Sequence, residues 1–311
     1  MKSVRCSGGA VEVVEVPAPV HDGVRVRIRS AGICGSDLHL IAGGIDLPHT
    51  LGHELAGVLA DGREVAIEPL VPCGECDLCA TDAYNLCRAG AGMILGIGLD
   101  GGMAEEIVVP ERCLVPLARG VSARDACLVE PLAIAVHGLR AVDLCAEDRV
   151  AVVGAGTIGL CAVAYAAGIA AEVGLHARHD AQAEVGERLA ARPIEGEYDL
   201  VIECAGSASG IRRAVGLCRP GGRLLLLATY WSGLELPAFE LALKEIRVTP
   251  SSLYAVQRDR RDIDLAAELL ALRSELPGLL ISHRYPLDAA AEAFRVANDR
   301  KAGAIKVVLE P

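Results

Sequence analysis

The sequence predicts an α/β protein in two parts, a mainly-β portion that leads into a doubly wound parallel sheet. Two observations carry this. The first third is rich in glycine, proline and short β-branched runs, with few long helical patterns. Beyond Glu130-Pro131 the texture changes to repeated strand, glycine turn and helix, and that alternation implies parallel strands with helices on both faces. A length of 311 residues suits about two domains and is ample for a large apolar core.

In chain order, residues 23–28, 55–59, 64–67 and 105–109 read as strands joined by turns. Residues 133–139 turn helical. The run 149–153 is a buried strand, 157–167 a small-residue helix, 171–176 a second strand and 181–191 a second helix. Strands at 199–203, 223–228 and 246–249 follow, separated by a helix over 211–217 and a loop around Trp231. Between His176 and Asp199 there is room for one helix and little more, so a third strand is reduced to a stub at 192–194. Helices at 263–272 and 287–297 lead to a closing strand at 304–309. There is no internal repeat and no low-complexity tract.

Composition narrows the function classes. Hydrophobic residues make up 52% but aromatics only 3%, so Ala, Val, Leu and Ile fill the interior. Thirty Lys and Arg against 41 Asp and Glu leave a net charge of −11, with no basic run. That surface offers no electrostatic footprint for nucleic acid or anionic lipid. No window approaches the ~18 unbroken apolar residues of a membrane span, and the first thirty residues, with Glu12, Glu15 and Asp22, read as strands rather than a signal peptide. The expectation is a soluble, cytoplasmic protein.

Three constellations carry chemistry. Cys73, Cys76, Cys79 and Cys87 fall within one fifteen-residue stretch. Four thiolates in one loop can surround a tetrahedral zinc at ~2.3 Å, and closed four-sulfur coordination leaves no position for substrate. The site is therefore structural. A polar loop containing Glu75, Asp77 and Asp82 would not bury four thiols for packing alone. The second constellation is split between Cys34-Gly35-Ser36-Asp37-x-His39, Gly52-His53-Glu54 and Glu130-Pro131. A thiolate, an imidazole and a carboxylate from separated points suit a catalytic zinc with an open fourth position. The third is Gly154-x-Gly156-x-x-Gly159, directly after a buried strand and at the start of a helix, the context a dinucleotide fingerprint requires. Gly154 permits the tight turn, Gly156 lets a pyrophosphate approach the backbone, and Gly159 allows close packing of helix on strand.

The strings AGICGSDLH, LGHELAGVL, CGECDLCATDAYNLC, GGMAEEIVVP, LVEPLAIAVHGLR, VAVVGAGTIGL, VIECAG and AGAIKVVLEP resemble the zinc-dependent medium-chain alcohol dehydrogenases, and within them the polyol branch of sorbitol, butanediol and threonine dehydrogenases. The resemblance runs from about residue 31 to the end. It implies a GroES-like catalytic domain over 1–132, a Rossmann coenzyme domain over 133–252, and a return to the catalytic domain over 253–311, with the active site in the cleft between domains. It implies a catalytic zinc on Cys34 and His53 with Glu130 or Glu54 as third ligand, Asp37 fixing the His53 tautomer, and a proton relay through Ser36 and His39. The weight falls on Glu130, because LVEPLA stands where relatives place their last ligand. Two zinc ions per chain follow, one catalytic and one structural.

The same resemblance carries cofactor contacts to Gly154, Gly156, Thr157, Ile158, Gly159, His176, Arg178, Ala205 and Lys306. The implied reaction is hydride transfer between a secondary alcohol, diol or polyol, or the matching ketone, and NAD(P), in a homodimer or homotetramer. A non-catalytic member would tend to lose the ligands kept here, and the zinc-free reductases lack both metal motifs. An NAD-preferring sheet places an acid at the end of its second strand to hold the ribose 2′-OH. Here His176 stands at that point, followed by Arg178, with Asp180 expected to serve as the next N-cap. The reading is NADP over NAD.

Overall fold

A computed structural model describes residues 1–45, 47–231, 233–299 and 303–311. The chain divides into two compact units, one of Met1–Glu130 with Ala255–Pro311 and one of Pro131–Tyr254.

The first unit is organised by a seven-stranded sheet. Ile281–Pro286, Lys306–Glu310, Val24–Gly32, Glu54–Val58, Glu64–Ile67 and Leu114–Pro116 lie side by side in that order, and Glu106–Val109 also pairs with Val24–Gly32. Along Val24–Gly32 the period-two pattern works as expected, with Val26 and Ile28 buried and Arg25 and Arg27 turned outward. Leu55, Val65, Ile67, Phe294 and Val307 complete this core. Two registers matter later: Gly32 is opposite Glu54 on one side and opposite Val308 on the other. They bring three segments far apart in sequence to one end of the sheet.

The second unit holds a six-stranded parallel sheet in the order Arg192–Pro193, Glu172–His176, Arg149–Val153, Tyr198–Glu203, Cys218–Leu226, Arg247–Pro250. The strand order reverses beside Arg149–Val153, which makes that strand's carboxyl end the topological switch point. The helix Thr157–Ala166 follows it, buried on nearly every side because its residues are small.

Several boundaries differ from the sequence expectation. The strand expected at 223–228 starts at Cys218, because Arg219-Pro220-Gly221-Gly222 stays in the sheet as an irregular segment with Gly221 at φ +70°. The helix expected at 287–297 opens with a single 3-10 turn, Leu287–Ala289, before Ala290–Asn298. The helix Leu276–Leu280, with proline in its first turn, was not expected. The third strand is the anticipated stub, two residues long. Tyr198, fully buried, fills the space over Gly174, where a Cβ would come within 2.5 Å of the phenol oxygen. The Arg149 guanidinium covers the Tyr198 ring at 4.8 Å. Among the described residues no helix is long and apolar enough to cross a membrane.

Candidate metal centres and dinucleotide site

The loop between Cys73 and Cys87 is folded by short 3-10 turns, Cys79–Thr81 and Tyr84–Leu86, with Gly74 in the left-handed region at φ +76°. All four sulfurs lie within 4.8 Å of one another. The Cys76–Cys79 and Cys73–Cys87 separations are 3.5 Å, Cys73–Cys79 is 3.9 Å and Cys76–Cys87 is 4.0 Å. A tetrahedron with metal–sulfur bonds of ~2.3 Å has edges of about 3.8 Å. The cysteines are thiols rather than disulfides, so the loop has the shape of a zinc cage. Backbone donors favour thiolate: the N–H groups of Cys73 and Ala89 point at Cys87 Sγ at 3.4 and 3.5 Å. N–H groups of Arg88 and Cys79 hold the Cys76 thiol down at about 6.

The second cluster is assembled by the sheet. Cys34 is the N-cap of the helix Gly35–Ala42, and its N–H donates to Asp37 Oδ2 at 3.0 Å, which satisfies one of the donors a helix start leaves open. His53 follows Gly52, which sits at φ +100° with no room for a Cβ beside Met103. Glu54 begins the strand opposite Gly32, and a side chain at Gly32 would collide with the Glu54 carboxylate. The ligand atoms of Cys34, His53 and Glu54 lie within 4.8 Å of one another. His53 Nδ1 and Asp37 Oδ1 are buried without a hydrogen bond and face each other at 3.5 Å, an arrangement that leaves His53 Nε2 as the ring nitrogen for a bound cation. A thiol, an imidazole and a carboxylate are a donor set that fits zinc.

Charges around this cluster are close-set. Asp37 Oδ1 is 3.5 Å from His53 Nδ1, and Ser36 Oγ is 3.3 Å from Nε2. Burial works against the His53 charge, but Asp37, Cys34 and Glu130 together raise its pKa well above the usual value. Glu130, buried in the first turn of Val129–Ala141, acts on His53 yet lies outside the group of three. Ser36 is half-buried, and His39 is exposed on the same helix. Lys306, to which the resemblance carries a cofactor contact, is buried. It is 2% exposed, donating to Glu54 Oε1 at 2.6 Å and the Ile33 carbonyl at 2.9 Å, with Glu54 Oε2 at 2.5 Å. Burial opposes its charge and Glu54 more than offsets that, so its pKa is raised. Sequence reading missed this ion pair, whose partners are 252 residues apart.

In the second unit each fingerprint glycine has its own steric reason. Gly154 is at φ +104° with Ala205 N 2.8 Å from its would-be Cβ, and a Cβ on Gly159 would strike the Gly154 carbonyl. Around Gly156 nothing lies within 4 Å, and it caps Thr157–Ala166 without a side-chain bond. The open backbone at the start of this helix suits an anion, with Thr157 and Ile158 half-buried in the first turn. Ala205 is held by Glu203, which sequence reading passed over although it ends a buried strand. Its carboxylate accepts from the N–H groups of Ala205 and Gly206 at 2.9 and 3.1 Å and from Tyr230 Oη at 2.5 Å. Burial raises its pKa against those bonds. His176 ends its strand, exposed, and partial burial with Arg213 and Arg178 lowers its pKa. Asp180 is the first helical residue rather than the N-cap: His179, extended at φ −121° and ψ 138°, takes that place.

Residues 21–119 match the alcohol dehydrogenase GroES-like domain family, and 142–271 match the zinc-binding dehydrogenase family. Galactitol 1-phosphate 5-dehydrogenase of Escherichia coli K12 is 31% identical, with both chains covered in full. A structure from Sinorhizobium meliloti 1021, assigned to the zinc-binding dehydrogenases and bound to NADP, is 30% identical with a TM-score of 0.87, covering 100% of this chain and 99% of the other. The alcohol dehydrogenase rspB of E. coli CFT073, solved with NADH, is 27% identical with a TM-score of 0.88 and the same coverage. The chain thus belongs to the zinc-dependent medium-chain alcohol dehydrogenases, in their polyol branch, and is an NAD(P)-linked oxidoreductase.

Proposed function

We propose that this enzyme oxidises a secondary hydroxyl of a polyol or sugar-derived alcohol, or reduces the matching ketone, using one catalytic zinc on Cys34, His53 and Glu54 and one structural zinc on Cys73, Cys76, Cys79 and Cys87. The observation that carries it is the convergence of a thiol, an imidazole and a carboxylate within 4.8 Å. A zinc ion there supplies Lewis-acid chemistry that acidifies a substrate hydroxyl near neutral pH. Asp37 orients the His53 ring. Lys306 offsets the Glu54 charge and keeps that carboxylate on the cluster. Ser36, beside His53, takes the hydroxyl proton, and His39 passes it to water. Glu130 is a nearby carboxylate that tunes His53 without ligating.

The open amide-lined turn at Gly156 with Thr157 and Ile158 holds the cofactor diphosphate, Ala205 borders its nicotinamide half, and Arg178 beside His176 selects NADP over NAD. The catalytic domain comprises 1–132 and 253–311 around a coenzyme domain at 133–252, and the protein works as a cytoplasmic homodimer or homotetramer. Elemental analysis of the purified enzyme tests the metal assignment: about two zinc per chain are expected, and a value near zero overturns it. A panel of polyols, hydroxy acids and simple alcohols, read by nicotinamide absorbance, tests the substrate class. Turnover confined to simple primary alcohols contradicts it.

A further inference from the structure

A cavity of about 310 Å³ opens at the carboxyl end of Glu172–His176. His176, Glu187, Arg192, Ile194 and Arg213 are among its lining residues. Arg213 comes from the helix Ala208–Leu217, two strands away in the chain from His176. It reaches this cavity because the stub Arg192–Pro193 runs on to Tyr198 with no helix between them.

Three arginines of the same unit are held by acids away from this opening. Arg149 pairs with Glu172 at 3.2 Å, Arg219 with Asp199 at 2.6 Å, and Arg223 with Asp148. Arg178, Arg192 and Arg213 form no ion pair or hydrogen bond among the described residues, and all three are exposed. In a chain of net charge −11, Arg192 and Arg213 set two such guanidinium groups on the wall of one cavity, and Arg178 follows the strand end that opens onto it, two residues past His176. Arg213 shares the cavity wall with His176, and both it and Arg178 lower the pKa of that imidazole. Glu187, the acid of the cavity wall, pairs with none of them.

We infer that Arg213 is a second specificity-determining cation, which binds the cofactor's 2′-phosphate together with Arg178. The inference rests on the NADP reading given above. A phosphate monoester presents three strong acceptor oxygens, and two planar guanidinium forks from separate elements can each bind it in bidentate fashion. A ribose 2′-hydroxyl offers nothing comparable, so the pair discriminates between the cofactors rather than binding both alike.

The test is calorimetric titration of the zinc-loaded enzyme with adenosine 2′,5′-bisphosphate and with 5′-AMP. Wild type is expected to bind the bisphosphate more tightly. Arg213→Ala is expected to weaken bisphosphate binding about tenfold, the usual scale for one charged hydrogen-bonding partner, and to leave 5′-AMP unchanged. Arg213→Lys should recover part of the loss, and Arg212→Ala, exposed on the same helix but off the cavity wall, should change nothing. If wild type shows no preference for the bisphosphate, the NADP reading falls and this inference with it. If the preference holds and only Arg178→Ala erodes it, the assignment of Arg213 alone is overturned. Equal weakening of both ligands by Arg213→Ala would make it an adenine contact and also overturn the phosphate role.

Discussion

The two cysteine-bearing clusters of the first unit are built in opposite ways. Cys73, Cys76, Cys79 and Cys87 come from one short loop, offer four identical donors and lie partly at the surface, held by neighbouring backbone N–H groups. Cys34, His53 and Glu54 come from two separated segments, offer three different donors, and depend on strand register and a lysine from the far end of the chain. A metal bound by the first arrangement would be closed in by four sulfurs, with nothing left to offer a substrate. A metal held by the second would keep a coordination position open, among charges that can be tuned. Substitutions in the two clusters should therefore fail in different ways.

The largest effect is expected at Cys34 and His53. Cys34→Ala or His53→Ala removes a ligand of the ion that polarises the alcohol, so kcat/KM should fall by about 10⁴-fold or more, roughly 5.5 kcal/mol of transition-state stabilisation. Circular dichroism and melting should stay near wild type, because the cysteine loop is a separate site. Activity within a few-fold of wild type, in protein that retains its zinc, would show that this cluster is not the catalytic one. Glu54→Ala and Glu130→Ala refine the comparison: Glu54→Ala should lower zinc content, whereas Glu130→Ala should keep the metal and slow turnover. The reverse outcome would restore Glu130 as the ligand.

Cys76→Ser should instead act on stability. A structural zinc carries ~10 kcal/mol or more of apparent binding energy, and losing one of four ligands forfeits part of it. Lower soluble yield and an earlier melting transition are expected before any specific loss of hydride transfer. Unchanged melting with selectively lost turnover would reverse the roles of the two sites.

How legible each cluster was in the sequence follows from how it is built. The four-cysteine loop is local, and spacing alone identified it. The Cys34 cluster could be read only as an ordered set of weak pieces, and the choice between carboxylates went towards Glu130. The pairing of Gly32 with Glu54 and with Val308 is what sets Glu54 beside Cys34 and brings in Lys306, and register is a property of the folded sheet. The cofactor contact at Lys306 comes from the resemblance alone, while its ion pair was illegible because a lone lysine in a closing strand carries no mark of its partner. In the parallel sheet the strand and helix alternation was plain, including the stub at Arg192–Pro193. The one-residue shift of the cap from Asp180 to His179 lies within the ordinary uncertainty of helix ends.

Lys306→Met probes the buried ion pair directly. Removing one partner leaves the Glu54 carboxylate buried with uncompensated charge, a loss of about 3–5 kcal/mol in comparable pairs. A zinc ion on the same carboxylate would offset much of that loss. The variant should therefore melt well below wild type in chelator, with the gap narrowing when zinc is restored. A gap of the same size in both conditions would mean that Glu54 does not face the metal.

The smallest effect is expected away from both clusters and calibrates them, because it should touch neither zinc content nor melting. Arg178 is exposed and unpaired beside His176, at the end of the strand where a carboxylate would repel a 2′-phosphate. Arg178→Ala removes one charge-assisted contact, so kcat/KM with NADP should fall about tenfold, or ~1.4 kcal/mol, while the value with NAD stays within error. The loss should appear mainly in KM, since the contact is made equally in ground and transition states. This separates a cofactor contact from a metal ligand, whose removal lowers kcat. If wild type already prefers NAD, or if Arg178→Ala keeps its full efficiency with NADP, then the acid-free end of this strand does not select the phosphorylated cofactor.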